Sequence, residues 1–162
     1  MDFISKTTTG EITIDATKTT INGEYLKMDL KKEYGTNKKS EVDGVWEDMG
    51  GGCKVLIARI GNENYQKVFR RISKPYQNAI RRGTLGNDKA EDLLIQAMAD
   101  CIVLDWKGLE EDGKAVKFSK EECVRVLKEY KDFRDHVSEL ANSMEIFRQE
   151  MDAEAEKNLK KP

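Results

Sequence analysis

Cys53, Cys101, Cys123 and His136 are the side chains from which a zinc site or a nucleophilic pair would have to be built. No two of them fall within the spacing of about two to four residues that structural zinc sites use. Cys101 and Cys123 lie on apolar helical stripes, where a thiol behaves as a small hydrophobe. His136, the single histidine, sits in the charged run Arg134-Asp135-His136, beside the apolar stripe of its segment. Nothing in the local sequence would lower a cysteine pKa or supply an oxyanion hole. Gly50-Gly51-Gly52-Cys53-Lys54 lacks the preceding strand, the Gly-Lys pair at the right distance and the Ser or Thr of a phosphate loop, so it reads as a turn. A calcium loop with Gly113 at its glycine position would begin at Gly108 and end at Ser119, where acidic ligands are required. The expectation is a protein that is not an enzyme and takes no metal or cofactor.

Two segments have the chemistry of binding instead. Residues 67–82 hold Lys67, Arg70, Arg71, Lys74, Arg81 and Arg82, with Tyr76 among them and no acid. Such a patch can meet phosphates or an acidic protein surface, or form the solvated side of two ordinary helices. It matches no recognition-helix motif. Residues 133–151 place Phe133, Val137, Leu140, Ala141, Met144, Phe147 and Met151 at helical spacing. Phenylalanine and methionine suit an adaptable partner surface, and the same stripe would equally serve a core.

The elements that would position these segments change character near residue 60. Ile12 and Ile14 alternate with threonines ahead of Asn22-Gly23, the strongest short-range hairpin signal, and Leu26, Met28 and Leu30 alternate beyond it. Residues 31–43 read as a polar loop. After the glycines, residues 53–60 read as a strand buried on both faces. Helical periodicity then takes over. Asn62 can cap a helix bearing Tyr65, Val68, Phe69 and Ile72; Pro75 can open the next, which Gly83 stops. Asp88 with Glu91 resembles a capping box ahead of Leu93, Leu94, Ala97, Met98, Cys101 and Ile102. Ser119 with Glu122 is a second such signature, opening a helix with Cys123, Val126 and Leu127. The fold class expected is α+β: a small N-terminal antiparallel sheet or hairpin over 1–60, a predominantly α-helical part over 61–152 packed on it, and a frayed charged tail over 153–162.

Bulk properties agree with that division of labour. In 162 residues, 38% are hydrophobic and 36% charged, which implies a modest core under a heavily ionised surface. A net charge of −2 supplies no global field to draw in DNA or an anionic membrane. The odd, scattered cysteines suit a reducing compartment, and the N-terminus lacks the basic flank and apolar run of a secretory signal. A soluble protein of the cytoplasm, without membrane contact, is expected.

One stretch goes further. An amphipathic helix ending at Ile102-Val103-Leu104 is followed by Asp105-Trp106-Lys107-Gly108-Leu109, an acidic turn at Asp112-Gly113, then Val116-Lys117-Phe118-Ser119, Glu121-Glu122 and a terminal helix from Phe133. This order resembles the tail assembly chaperones of long-tailed, siphovirus-type bacteriophages, in which a Trp-x-Gly-Leu turn, a glycine-containing hairpin and a Ser or Thr cap join two helices. Together with residues 55–71, the resemblance covers roughly three-fifths of the chain. It implies structural roles for Trp106, Gly108, Leu109, Gly113 and Ser119. It also implies a late protein of the host-cell cytoplasm, absent from the mature virion, that keeps the tape-measure protein soluble and helps recruit tail-tube subunits. Self-association is compatible with such a role. The candidate contact residues are then Arg70, Arg71, Arg81 and Arg82 on the basic segment, or Phe133, Met144, Phe147 and Met151 on the terminal one. The competing expectations are a head–tail or tail component retained in the virion, and a small regulator that binds nucleic acid through residues 67–82. In the resembling family a frameshift near the end of the gene often appends a second domain, and Lys160-Lys161 is compatible with the codon pair this needs.

Overall fold

A computed structural model describes residues 12–15, 18–21, 24–25 and 27–159, with side chains described for 27–148 and 156–159. The chain divides into two compact units, Met1–Gly35 and Thr36–Pro162. In the first, β1 (Ile12–Asp15), β2 (Lys18–Ile21) and β3 (Glu24–Tyr25) form an antiparallel sheet in that order. Pairing of Ile21 with Glu24 leaves two residues for the β2–β3 connection, as the Asn22-Gly23 signal requires. Asn22, Gly23 and Leu26 themselves lie outside the described residues. The expected alternation through Met28 and Leu30 does not continue the sheet: both are exposed, and Leu30 opens a helix.

That helix, α1 (Leu30–Tyr34), and α2 (Lys38–Asp43), which begins the second unit, replace the loop expected over residues 31–43. Each is nucleated by a side-chain cap that the charge-rich sequence disguises. Asp29 accepts from the amides of Lys31 and Lys32, and Asn37 from those of Lys39 and Ser40.

The second unit is built on an antiparallel sheet of β4 (Val45–Gly50), β5 (Cys53–Ile57) and β6 (Val103–Lys107), with β5 central. Gly50, Gly51 and Gly52 all have positive φ and turn β4 into β5. β5 is shorter than the expected strand and is not buried on both faces. Cys53, Val55 and Ile57 point into the core, whereas Lys54 is exposed and Leu56 only half-buried, the pattern of a sheet with one covered face. β6 corrects a second expectation. Residues 103–107 are neither a helix end nor a turn; they pair with β5, Val55 opposite Trp106. Because the strand is irregular between Leu56 and Ile57, inward positions on β6 are three apart, Val103 and Trp106, which reads as a helical spacing.

Helices cover the sheet's inner face. α3 (Glu63–Ser73), a 3-10 turn at Lys74–Tyr76 and α4 (Gln77–Arg81) lead to α5 (Asn87–Cys101), then come the short hairpin β7 (Glu110–Glu111) and β8 (Lys114–Ala115), and finally α6 (Lys120–Glu129), α7 (Lys131–Asn142) and α8 (Met144–Leu159). α5 is the hub, packing on α3, α6 and β6. It begins one residue after Gly86, so Asp88 lies inside the first turn and is not the cap the sequence suggested. Ser119 does cap α6, accepting from the Glu122 amide at 3.0 Å. α8 runs helical to Leu159, well past Asp152 where its apolar periodicity stops.

The core joins Val55, Ile57 and Val103 of the sheet to Met98 and Ile102 at the end of α5, Leu127 of α6 and Val137 of α7. Each fully buried side chain of this kind contributes on the order of 1.5–3 kcal/mol relative to leaving it in water. The α+β class stands: strands come first and helices predominate afterwards.

Candidate functional site

The motif from β6 to α6 is a chain of local necessities. Trp106 is buried on β6; its indole Nε1 donates to the Val116 carbonyl at 2.7 Å, and its ring meets Phe118 edge-on with centroids 4.9 Å apart. It therefore fastens a strand to the segment that enters α6. Gly108 follows with φ +70°, and a Cβ there would lie 2.4 Å from the Gly52 carbonyl oxygen. Only glycine allows this close approach of two backbones. Leu109 packs on the core from its edge. Asp112 and Gly113, with φ of 50° and 74°, make the two-residue turn of the β7–β8 hairpin, the mirror-image geometry that Asp-Gly favours.

A tie that the sequence did not announce closes the opposite end of the sheet. Glu41 is buried, and its carboxylate accepts from Arg59 Nη1 at 2.6 Å, from the Thr36 hydroxyl and from Lys38. Burial pushes this carboxyl up, but the hydrogen bonds from Thr36, Arg59 and Lys38 outweigh it and hold it below its ordinary value. Asn62, whose side-chain oxygen caps α3 at the Tyr65 amide, also donates to the Glu41 carbonyl at 3.0 Å. No spacing rule links positions 41, 59 and 62, so only the fold reveals them.

The basic segment divides into paired and unpaired cations. Lys67 pairs with Glu63, and Arg71 reaches Asp100 at 3.3 Å. Arg70, Lys74, Arg81 and Arg82 are exposed and have no ion-pair partner among the described residues. Elsewhere in this unit arginines are occupied: Arg134 is buried against Glu91 and the Leu127 carbonyl, and Arg125 gathers Glu111, Glu122 and Glu129. The four candidate arginines thus lie along one helical run, α3 to the end of α4.

The apolar candidates are not brought together in the same way. Phe147 is fully buried, lying 5.9 Å beneath the Arg59 guanidinium, and its carbonyl accepts from the Asn37 amide. Phe133 and Met144 are half-buried, and the Met151 side chain lies outside the described residues. Core packing claims Phe147, because α8 rests on α2 and β4.

All three cysteines are buried and unpaired in disulfides. Burial pushes the Cys123 thiol up to about 12, and burial with help from Asp100 pushes Cys101 up to about 11. Such thiols are poor nucleophiles at neutral pH. Among the described residues, no three His, Cys, Asp or Glu side chains gather as a metal site would need, and no helix is long and apolar enough to cross a membrane.

The second unit is thus a small α+β fold with a capped-helix motif and exposed cations that have no ion-pair partner among the described residues. A family model described as YdaY prophage protein matches residues 60–158, and the chain belongs to that family. It is a phage-derived protein. No curated protein and no solved structure matches it.

Proposed function

We propose that this prophage protein is a tail assembly chaperone, which binds the tape-measure protein, keeps it soluble and helps recruit tail-tube subunits during tail morphogenesis. The observation that carries this reading is the ordered motif Trp106, Gly108, Leu109, Gly113 and Ser119, formed as strand, tight turn, hairpin and capped helix within a chain of phage origin. The unpaired cations of α3 and α4 support a polar, salt-sensitive contact with such a client. On this reading the protein acts in the host cytoplasm and leaves before the virion is complete. Co-expression with the protein encoded just downstream tests it. The expected result is that the partner's soluble fraction rises and the two co-purify. No rescue and no complex would sink the proposal and favour a component retained in the virion, which mass spectrometry of purified particles would detect.

The same four cations also give a second reading, a nucleic-acid contact through residues 67–82. Gel retardation at two salt concentrations decides it, and no shift at low salt eliminates it.

A further inference from the structure

The β7–β8 hairpin stands off the junction of α6 and α7, and the space between them is a half-open groove of about 430 Å³. This is within the range of roughly 300–1,000 Å³ typical of ligand sites. Its floor is apolar: Leu109, Val116 and Phe133 pack on the core from one side and remain partly exposed on the other, beside Val126. Tyr130, 43% exposed, forms part of the wall. The rim is acidic, with Glu110, Glu111, Glu129 and Asp132 against Lys131.

The nearby guanidinium does not reverse that sign. Arg125 lies 2.9 Å from Glu111, 2.9 Å from Glu122 and 2.8 Å from Glu129, so its charge is already shared among three carboxylates. Counting Glu122, five acids face two cations. Tyr130 donates to Glu111 as well. These bonds tie the hairpin to α6 and hold the groove open before anything enters it, which lowers the ordering cost of binding.

We propose that this groove is a docking site for a basic amphipathic helix of a protein partner, whose Leu, Phe or Met side chains fill the floor while flanking lysines or arginines meet the rim. Charge decides the occupant. A nucleic acid or an acidic peptide would be repelled by the carboxylates, and a neutral apolar group would leave Glu110 and Asp132 without a cation, since Arg125 serves only Glu111, Glu122 and Glu129. A helix supplies both features at once, because apolar anchors at i, i+3 and i+4 leave its sides for charge. The site is separate from the cations of α3 and α4, and it does not depend on the partner being a tape measure.

The test uses the full chain and a fluorescein-labelled synthetic peptide of leucine and lysine at helical spacing, with a glutamate-for-lysine analogue as its control. Anisotropy titration should show saturable binding of the lysine peptide and none of the analogue. Glu110→Lys with Asp132→Lys, both on exposed side chains, should weaken binding about tenfold or more. Val116→Arg should do the same, with circular dichroism of both variants matching the parent. Absence of binding at low salt, or equal binding to parent and variants, would overturn the proposal. So would self-association of the parent that Val116→Arg abolishes and the peptide cannot displace, since a second copy would then be the occupant.

Discussion

At the scale of single residues, Trp106 and Gly108 explain why the motif has the composition it has. The indole spans from β6 to the Val116 carbonyl, and the glycine two residues on lets that strand's end pass against Gly52. Trp106→Ala should cost on the order of 3–5 kcal/mol, from lost burial and the cavity left behind. Trp106→Phe keeps most of the bulk but leaves a carbonyl without its donor, so a smaller loss of about 1–3 kcal/mol is expected. Urea unfolding of both variants checks this, and parental stability in the alanine variant would contradict the role given to the ring. The importance of Trp106 was legible from its place in the order of residues. Its partner was not, because β6, the strand that bears it, has its inward residues Val103 and Trp106 three apart and so looks helical.

At the scale of elements, the caps and the breaks in periodicity decided what could be read. Asn62, Ser119, Pro75 and Gly83 mark helix ends in the sequence and mark them in the fold. Asp88 misleads, since Gly86 supplies the extended residue before α5 without any side-chain bond. α1 and α2 were invisible because short helices of Lys and Glu carry no apolar stripe; their capping Asp29 and Asn37 were the available signal. The joint of α2 with the chain after β5 rests on Glu41, and it predicts a pH dependence. Its folded pKa lies below the unfolded value of about 4.3. The stabilisation it gives is therefore fully present above that pH and is lost as the pH falls through the lower, folded value. Glu41→Gln should flatten the acid side of a plot of unfolding midpoint against pH, while lowering stability at pH 7. An unaltered acid limb would show that this carboxylate does not link α2 to Arg59 in solution.

At the scale of the whole molecule, opposite charges are gathered in different places on one compact unit although the total is close to neutral. α3 carries the unpaired Arg70 and leads on to Lys74, Arg81 and Arg82, α6 borders an acidic groove, and both helices pack on α5. On the proposed chaperone reading, Arg70→Glu with Arg71→Glu should weaken binding of the co-expressed partner and reduce its dependence on salt. Unchanged binding at low salt would remove the basic run from the contact. The burial of every cysteine has a practical consequence for following such partners. Because Cys53, Cys101 and Cys123 are all shielded and their thiolates disfavoured, one cysteine introduced on an exposed helix face becomes the preferred target of a maleimide dye. The protein can thus carry a single fluorophore beside either charged region without first being stripped of its native thiols.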